Sequence, residues 1–163
     1  MSAPNSFSVD WNTWTPKEKA VLCFVFDGDQ VLLIEKKRGL GAGKVNAPGG
    51  RIDLGETAQQ AAIRETQEEV GITPIAPVAA GELSFQFIDG YSLHCTVFHT
   101  SQHTGSMMET NEANPFWCKL SELPYYRMWE DDRHWLPLML KGEKFNGKFV
   151  FDGERMVGKI LTE

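Results

Sequence analysis

Four segments in the first hundred residues combine apolar runs with partial apolar/polar alternation, and they predict two β-hairpins. Within each pair, the two segments are separated by an Asp-Gly turn sequence, at Asp27-Gly28 in the first pair and at Asp89-Gly90 in the second. A short turn of this kind joins antiparallel strands, so each pair is expected to form neighbouring strands of a sheet. The four segments are residues 19–27, 30–37, 81–88 and 91–100.

The remainder of the chain predicts short strands and two helices. Asn146-Gly147 and Asp152-Gly153 indicate two further turns among short strands near the C-terminus. Helical patterns occur at Thr57 to Val70 and at roughly Asp131 to Lys141. These elements predict an α+β fold in which a mixed sheet is covered by helices on its faces.

The first predicted helix ends in a group of carboxylates. Glu65, Glu68 and Glu69 have i, i+3 and i+4 spacing, which brings them to one face just before the helix stop at Gly71. Like charges there are unfavourable, because they repel one another and the helix dipole is already negative at this end. Arg64 can offset one of the charges. The helix alone is equally consistent with a solvated acidic helix end and with a divalent-cation site.

Composition narrows the class of protein. The chain has 163 residues, 42% of them hydrophobic, and predicts one domain at 16–163 after a loosely ordered extension at 1–15. A net charge of −6 argues against stable nucleic-acid binding but allows a small anionic ligand where cations are gathered. The sequence has no long apolar run or hydrophobic signal core, so we expect no membrane association. Three scattered cysteines in apolar surroundings favour buried thiols of a cytoplasmic protein: Cys23, Cys95 and Cys118.

The segment GGRIDLGETAQQAAIRETQEEVGI, residues 49–72, resembles the Nudix box, G-x5-E-x7-R-E-U-x-E-E-x-G-U, where U is aliphatic. Thr66 occupies an aliphatic position and is the one departure. The resemblance implies an α/β/α sandwich fold and a loop–helix–loop magnesium site. It favours the divalent-cation interpretation of the acidic helix end. The matching positions are Gly50, Glu56, Arg64, Glu65, Glu68, Glu69, Gly71 and Ile72.

The resemblance also implies roles for particular residues. Mg²⁺, with Mn²⁺ as an alternative ion, would neutralise charge on a diphosphate and position the attacking water. One of the glutamates, or an acid outside the box, would activate that water. Arg64 would orient the carboxylates, and Glu56 would support the loop. The implied metal ligands are Glu65, Glu68, Glu69, the carbonyl oxygen of Gly49 and Glu112, an acid outside the box.

From Val21 to Phe151, the chain resembles the eukaryotic-type MutT homologues, which hydrolyse oxidised purine nucleoside triphosphates. This resemblance implies a base pocket made by Asn46, Trp129, Asp131 and Asp132. A tryptophan face is a good stacking surface for a purine, and a carboxyl pair can both donate and accept hydrogen bonds. Taken without the family, the two aspartates would be interpreted first as helix N-caps, and Trp129 as an ordinary core aromatic.

Lysine and arginine side chains that could bind the phosphate groups of a nucleotide are gathered around the glycine-rich loop that precedes the box. Lys36 is the candidate for phosphate contact. Leu40 stands where the family often has an aromatic residue that closes the pocket, so stacking is expected on one side only. Glu130 replaces a common proline after Trp129. The cation cluster consists of Lys36, Lys37, Arg38, Lys44 and Arg51.

These resemblances predict a nucleoside triphosphate diphosphatase that yields the monophosphate and pyrophosphate, and so removes oxidised purine nucleotides in support of DNA repair. A broad nucleotide or nucleotide-sugar diphosphatase is the alternative within enzymes. A non-catalytic nucleotide-binding module is disfavoured because the box keeps all its glutamates. The expected partner is a small nucleotide, and the chain is expected to be a monomer or a weak dimer.

Overall fold

The computed structural model describes residues 8–163 and arranges them as a nine-stranded mixed sheet with a helix on each face, beside a separate sheet of two short strands, Ile72–Pro74 and His103–Gly105. Residues 1–7 of the predicted extension lie outside the described residues. The helices are α1 (Ala58–Val70) and α2 (Asp132–Leu140), with short 3-10 helices at Leu120–Glu122 and Tyr125–Arg127. The strands are β1 (Glu18–Asp27), β2 (Gln30–Lys36), β3 (Val45–Asn46), β4 (Gly49–Arg51), β5 (Ile72–Pro74), β6 (Val78–Phe87), β7 (Ser92–Thr100), β8 (His103–Gly105), β9 (Ala113–Lys119), β10 (Phe145–Asp152) and β11 (Arg155–Thr162).

The main sheet splits at one edge of β1, where two other strands pair with different parts of it. Its order is β11-β10-β6-β7-β1-β2-β3, with β9 paired to β2 and β4 paired to β1. The pairs β1–β7 and β6–β10 are parallel and the others antiparallel, which confirms the predicted mixed sheet. On its other edge, β1 pairs with β4 along 20–22 but with β2 only at 26–27. The strands therefore separate between β4 and β2, and a cleft forms there.

Alternation along β1 divides the core between the two helices. Val21 and Cys23 face the cluster that contains Ala61 and Ala62 of α1, whereas Phe24 faces the cluster that contains Trp135 of α2. Successive strand residues point to opposite faces, so one strand supports both layers. This arrangement agrees with the sandwich that the Nudix resemblance implies.

Both ends of α1 are capped. Thr57 and Gln60 form a capping box at the start, and Gly71, in the left-handed conformation, donates from its N–H to the Gln67 carbonyl at the end. The last carbonyls of α1 accept hydrogen bonds from the chain just before β9. Thr110 Oγ1 donates to the Glu69 carbonyl at 2.8 Å, and Met108 N donates to the Val70 carbonyl at 2.8 Å. The acidic helix end is thus fixed to a neighbouring loop.

The predicted turn at Asn146-Gly147 is wrong. Both residues lie within β10 and pair with β11 and β6. A Cβ atom at Gly147 would lie 2.5 Å from the Phe149 ring, so this glycine makes room for a core aromatic and does not reverse the chain. The turns at Gly28, Gly90 and Gly153 are confirmed, each with a positive φ.

Other predicted boundaries shift by small amounts. Helix α2 begins at Asp132 and ends at Leu140, one residue inside the predicted span at each end. Within the described part of the predicted extension, Trp14 Nε1 donates to Gln86 Oε1 of β6 at 2.8 Å. The chain is therefore fixed to the sheet before residue 16. Within residues 8–163, neither helix is long and apolar enough to span a membrane.

Candidate active site

A cavity of about 140 Å³ occupies the cleft between β2 and β4. It is lined by eight of the twelve candidate catalytic, metal and substrate residues, and the other four lie outside its lining: Arg64, Glu65, Glu68 and Glu112. One end carries aromatic and acidic side chains from the segment before α2. The other end carries the Gly49-Gly50 turn. The eight lining residues are Lys36, Leu40, Asn46, Gly49, Glu69, Trp129, Asp131 and Asp132.

Asp131 and Asp132 form a buried carboxyl pair in the cavity wall. They are 2% and 3% exposed. Asp131 Oδ2 accepts a hydrogen bond from Trp135 Nε1 at 2.7 Å, whereas Asp131 Oδ1 and Asp132 Oδ2 have no partner among the described residues. Burial raises the pKa of both carboxyls, and the charge of Asp131 raises that of Asp132 further.

The helix-cap interpretation of this pair is wrong for Asp131. This residue occupies the N-cap position of α2, but its side chain makes no capping hydrogen bond. Its carboxylate is directed to Trp135, four residues further along. Two unpaired buried oxygen atoms beside an open cavity would be costly in a purely structural role, because each loses its hydration without compensation. They are therefore available to a ligand.

Trp129 packs against two aromatic side chains beside the carboxyl pair. Its ring is nearly perpendicular to those of Phe87 and Phe151, with centroids 6.0 Å and 5.3 Å away. Gly41 approaches so closely that a Cβ atom there would lie 2.8 Å from Trp129 Nε1. Its φ of +83° also favours glycine. Asn46 Oδ1 accepts from the N–H of Ala47 at 2.8 Å, which fixes the orientation of its amide.

On the acidic face of α1, Arg64 is the centre of the hydrogen-bond network. Its Nε and one amino group donate to the two oxygens of Glu56 at 2.7 and 2.9 Å. Its other amino group donates to Glu68 at 2.7 Å and to Glu65 at 3.2 Å. The guanidinium lowers the pKa of Glu56 to about 2, helped by the N–H of Asp53. Arg64 thus offsets several of the clustered charges.

The two remaining box glutamates contact the glycine turn. A Cβ atom at Gly50 would lie 2.3 Å from the Glu65 carboxyl carbon, so a larger residue there would displace this carboxyl. Glu69 Oε1 accepts from Gly49 N at 2.9 Å. Although we expected an exposed acid at the helix end, Glu69 is 4% exposed. Burial raises its pKa to about 7, opposed by the hydrogen bond from Gly49.

The donor set suits a hard divalent cation, but the side chains are not assembled around one point. Within residues 8–163, no three His, Cys, Asp or Glu side chains are arranged to hold a metal ion. Glu68 is bound to Arg64, and Glu112 Oε1 lies 3.7 Å from Arg38. Glu112 is nevertheless close enough to raise the pKa of Glu65 and Glu69. Carboxylate and carbonyl oxygens are the ligands that Mg²⁺ prefers.

The predicted cation cluster is mostly neutralised by nearby acids. Lys36 lines the cavity, forms no ion pair among the described residues, and lowers the pKa of Glu69 through its charge. It is the cluster member best placed to meet an anion in the cavity. The other four are paired: Lys37 with Glu109, Arg38 with Glu112, Lys44 with Glu154 and Arg51 with Glu18.

Two contributors to the site were not predicted from the sequence. Trp135 supplies the hydrogen bond that orients Asp131, and its i+4 spacing from Asp131 was the available signal. Gly41 makes room for Trp129 through a tertiary contact that has no local signature. Thr66, the departure in the box, is fully buried, and its hydroxyl donates to the Ala62 carbonyl at 2.8 Å.

Comparisons with known proteins agree with this geometry. The family model of the NUDIX domain matches residues 16–139, and the chain belongs to this family. It is 39% identical over 137 residues to an oxidized purine nucleoside triphosphate hydrolase from zebrafish (Danio rerio), with 83% of this chain and 88% of that protein covered. A mouse (Mus musculus) protein of the same name is 37% identical over 144 residues, covering 87% and 92%.

Among solved structures, the chain is similar to a MutT protein from Bacillus halodurans, with a TM-score of 0.80 and 28% sequence identity. The match covers 88% of this chain and 97% of that one. An 8-oxo-dGTP diphosphatase from Escherichia coli is 50% identical over a shorter stretch of 48 residues, which is 29% of this chain and 37% of that protein. The α+β class and the Nudix fold predicted from the sequence are therefore confirmed.

Proposed function

We propose that this Nudix hydrolase cleaves purine nucleoside triphosphates, oxidised ones included, to the monophosphate and pyrophosphate. It would thereby remove damaged nucleotides from the precursor pool and so support DNA repair. The observation that carries the proposal is a single cavity with two chemically different ends. Trp129 and the carboxyl pair form one end, and Lys36, Gly49 and Glu69 form the other. A nucleotide has the same division between base and phosphates.

At the base end, the carboxyl pair provides hydrogen bonds of both kinds. Because burial favours the neutral form, at least one of Asp131 and Asp132 keeps its proton well above the usual range for aspartate. The protonated carboxyl donates a hydrogen bond and the other oxygens accept. A shared proton can change position, so guanine-like and adenine-like oxidised bases can both be bound. Trp129 supplies a stacking surface.

At the phosphate end, the residues suit a divalent cation, which we propose to be Mg²⁺ with Mn²⁺ as an alternative. Glu65, Glu68, Glu69, Glu112 and the Gly49 carbonyl would hold it. The bound ion would neutralise phosphate charge and polarise the scissile linkage. Lys36 binds phosphate oxygens. Arg64 keeps the carboxylates oriented, and either a box glutamate or Glu112 takes the proton from the attacking water.

The decisive experiment identifies products from a panel of canonical and oxidised triphosphates, together with a nucleotide sugar. With Mg²⁺ present, phosphorus NMR is expected to detect a monophosphate and pyrophosphate, and oxidised purines are expected to be turned over fastest. Orthophosphate as the first product would overturn the proposed bond choice. Faster turnover of the nucleotide sugar would favour the broad diphosphatase instead.

The cellular location, the oligomeric state and nucleic-acid binding form the next part of the proposal. We propose that the chain acts in the cytoplasm as a monomer or weak dimer and forms no stable complex with nucleic acid. Its net charge of −6 disfavours a polyanionic partner, and its three cysteines are buried thiols. Size-exclusion chromatography with light scattering tests the oligomeric state, and an electrophoretic shift assay tests nucleic-acid binding.

A further inference from the structure

Lys44 connects the candidate base pocket to the C-terminal hairpin. It lies in the loop between β2 and β3, and its ammonium is 3.2 Å from the Glu154 carboxylate, on the turn between β10 and β11. The same ammonium lies 5.2 Å from the centroid of the Trp129 ring. The Lys44 side chain is only 21% exposed. An exposed surface ion pair adds little to stability, but this cation also contacts an aromatic ring in the cavity wall.

A second contact joins the same two regions. Glu130, which follows Trp129, accepts a hydrogen bond on Oε1 from the N–H of Met156 at 2.6 Å. Met156 belongs to β11, immediately after the turn that carries Glu154. The Phe151 ring of β10 packs nearly perpendicular to the Trp129 ring. The hairpin therefore contacts both Trp129 and the residue that follows it.

Trp129 is packed on several sides. The Phe87 and Phe151 rings lie nearly perpendicular to it, and Gly41 lies against its indole nitrogen. Lys44 lies over the face of its ring and so opposes tilting towards that side. Lys44 is absent from the cavity lining. Lys44 therefore acts on a ligand through its neighbours: it contacts Trp129, and its charge lowers the pKa of the buried Asp132, which burial and Asp131 raise.

Building on the proposed function, we propose that Lys44 is a positioning residue for the base-stacking face of Trp129, and that Glu154 of the C-terminal hairpin holds Lys44 over that ring. The ammonium is attracted to the indole face, and the ion pair limits the rotamers of the flexible lysine. An ion pair outside the cavity thus determines how firmly the pocket binds an aromatic base.

The test compares steady-state kinetics of Lys44→Met, Lys44→Arg and Glu154→Gln with the full-length parent, on a purine nucleoside triphosphate with Mg²⁺. Lys44→Met is expected to raise KM by about three- to tenfold and to change kcat by less than about twofold, because stacking serves ground and transition states alike. Lys44→Arg should keep the parent's KM, since a guanidinium can make both contacts. Glu154→Gln should raise KM less, and should have no further effect in the Lys44→Met background.

Arg155→Gln is the matched control. It removes the Arg155–Asp152 pair, 3.5 Å long, from the same turn without touching Trp129, so KM should not change. Thermal unfolding of each variant reports on folding. The affinity of a purine nucleoside monophosphate, measured by calorimetry, gives a second readout and should fall in parallel with the rise in KM.

The outcomes separate the two proposals. If the parent hydrolyses triphosphates while Lys44→Met keeps its KM and its monophosphate affinity, Lys44 has no positioning role and the proposed function stands.

If the parent hydrolyses none, the proposed function fails. Monophosphate binding that weakens in Lys44→Met and recovers in Lys44→Arg would then still support the positioning role, and equal binding by all three proteins would overturn it. A parent that neither hydrolyses nor binds purine nucleotides would overturn both proposals.

Discussion

Acidic residues are clustered in two regions of the molecule, and their environments differ. Around α1, Glu56 and Glu68 accept hydrogen bonds from Arg64, which stabilises their charged forms. In the cavity wall, Asp131 and Asp132 are buried, and two of their four oxygens have no partner among the described residues. The partners of Arg64 are prepared to remain ionised, whereas the aspartate pair is prepared to retain a proton.

This difference indicates different functions for the two clusters. The carboxyl groups around Arg64 and the Gly49-Gly50 turn suit a divalent cation, which would neutralise charge on a diphosphate. A partly protonated pair beside Trp129 suits hydrogen bonding to a neutral base. Substitutions in the first region should therefore change the rate of the chemical step, while those in the second should change which substrate is preferred and how tightly it binds.

The largest expected effect comes from Glu69→Gln. The amide can still accept from Gly49 N, so folding and thermal stability should be close to those of the parent. Removing the charge should lower kcat by roughly a hundredfold or more, because neutralisation of the diphosphate is lost. Glu82→Gln, which changes an exposed acid paired with His94, is the control and should keep full activity. Parent-like, metal-dependent turnover of Glu69→Gln would remove Glu69 from the metal site.

The next effect is expected from Trp129→Ala. Losing a stacking surface worth roughly 1–3 kcal/mol should raise KM by about five- to a hundredfold and lower kcat much less. Trp11, whose ring packs on Trp14, lies outside the cavity lining, so Trp11→Ala is the control. Steady-state kinetics measure both parameters. A fall in kcat with KM unchanged would indicate that Trp129 shapes the cavity and does not stack on the base.

Substitution of the carboxyl pair should alter substrate ranking. An amide fixes donor and acceptor positions that a carboxyl pair exchanges by moving a proton. Asp131→Asn and Asp132→Asn should each change the kcat/KM ratio between oxidised guanine and oxidised adenine triphosphates by about tenfold. The control is Asp89→Asn in the exposed β6–β7 turn. If Asp131→Asn and Asp132→Asn both keep the parent's ranking of substrates by kcat/KM, the carboxyl pair does not discriminate between bases.

The Nudix resemblance predicted the sandwich, and eight of the twelve candidate site residues line the cavity. The Nudix box fixes residues at set spacings along one loop and helix, so its acids could be identified without a fold. Gly147 could not be predicted correctly, because Asn-Gly is locally a turn signal and only the pairing of β10 with β6 and β11 places it inside a strand. The burial of Glu69 was also missed, because it depends on the Gly49 turn reaching the helix end.

The carboxyl pair should also be visible in the pH dependence of stability. A carboxyl whose pKa is raised on folding binds its proton more tightly in the folded state than in the unfolded state. The associated stability is fully present at low pH and is lost as pH rises from about 4, the unfolded value, through the raised folded value, about 6 for Asp131. Over that window, the Tm of the parent should fall relative to that of Asp131→Asn. Parallel Tm curves for the two proteins would contradict the burial argument.

The smallest effect tests the open side of the base pocket. Leu40 lines the cavity and is 48% exposed, so Trp129 has no aromatic partner from this residue. Leu40→Phe adds a second stacking surface with little loss of existing packing, because half of the leucine already faces solvent. We expect KM for purine triphosphates to fall by about two- to fivefold with kcat unchanged, as an added aromatic contact contributes about 0.5–1.5 kcal/mol. Leu54→Phe, on a fully exposed loop residue outside the cavity lining, controls for a general gain in surface hydrophobicity. If Leu40→Phe raises KM instead, the cavity needs the space that leucine leaves open, and the one-sided pocket is the form that its substrate requires.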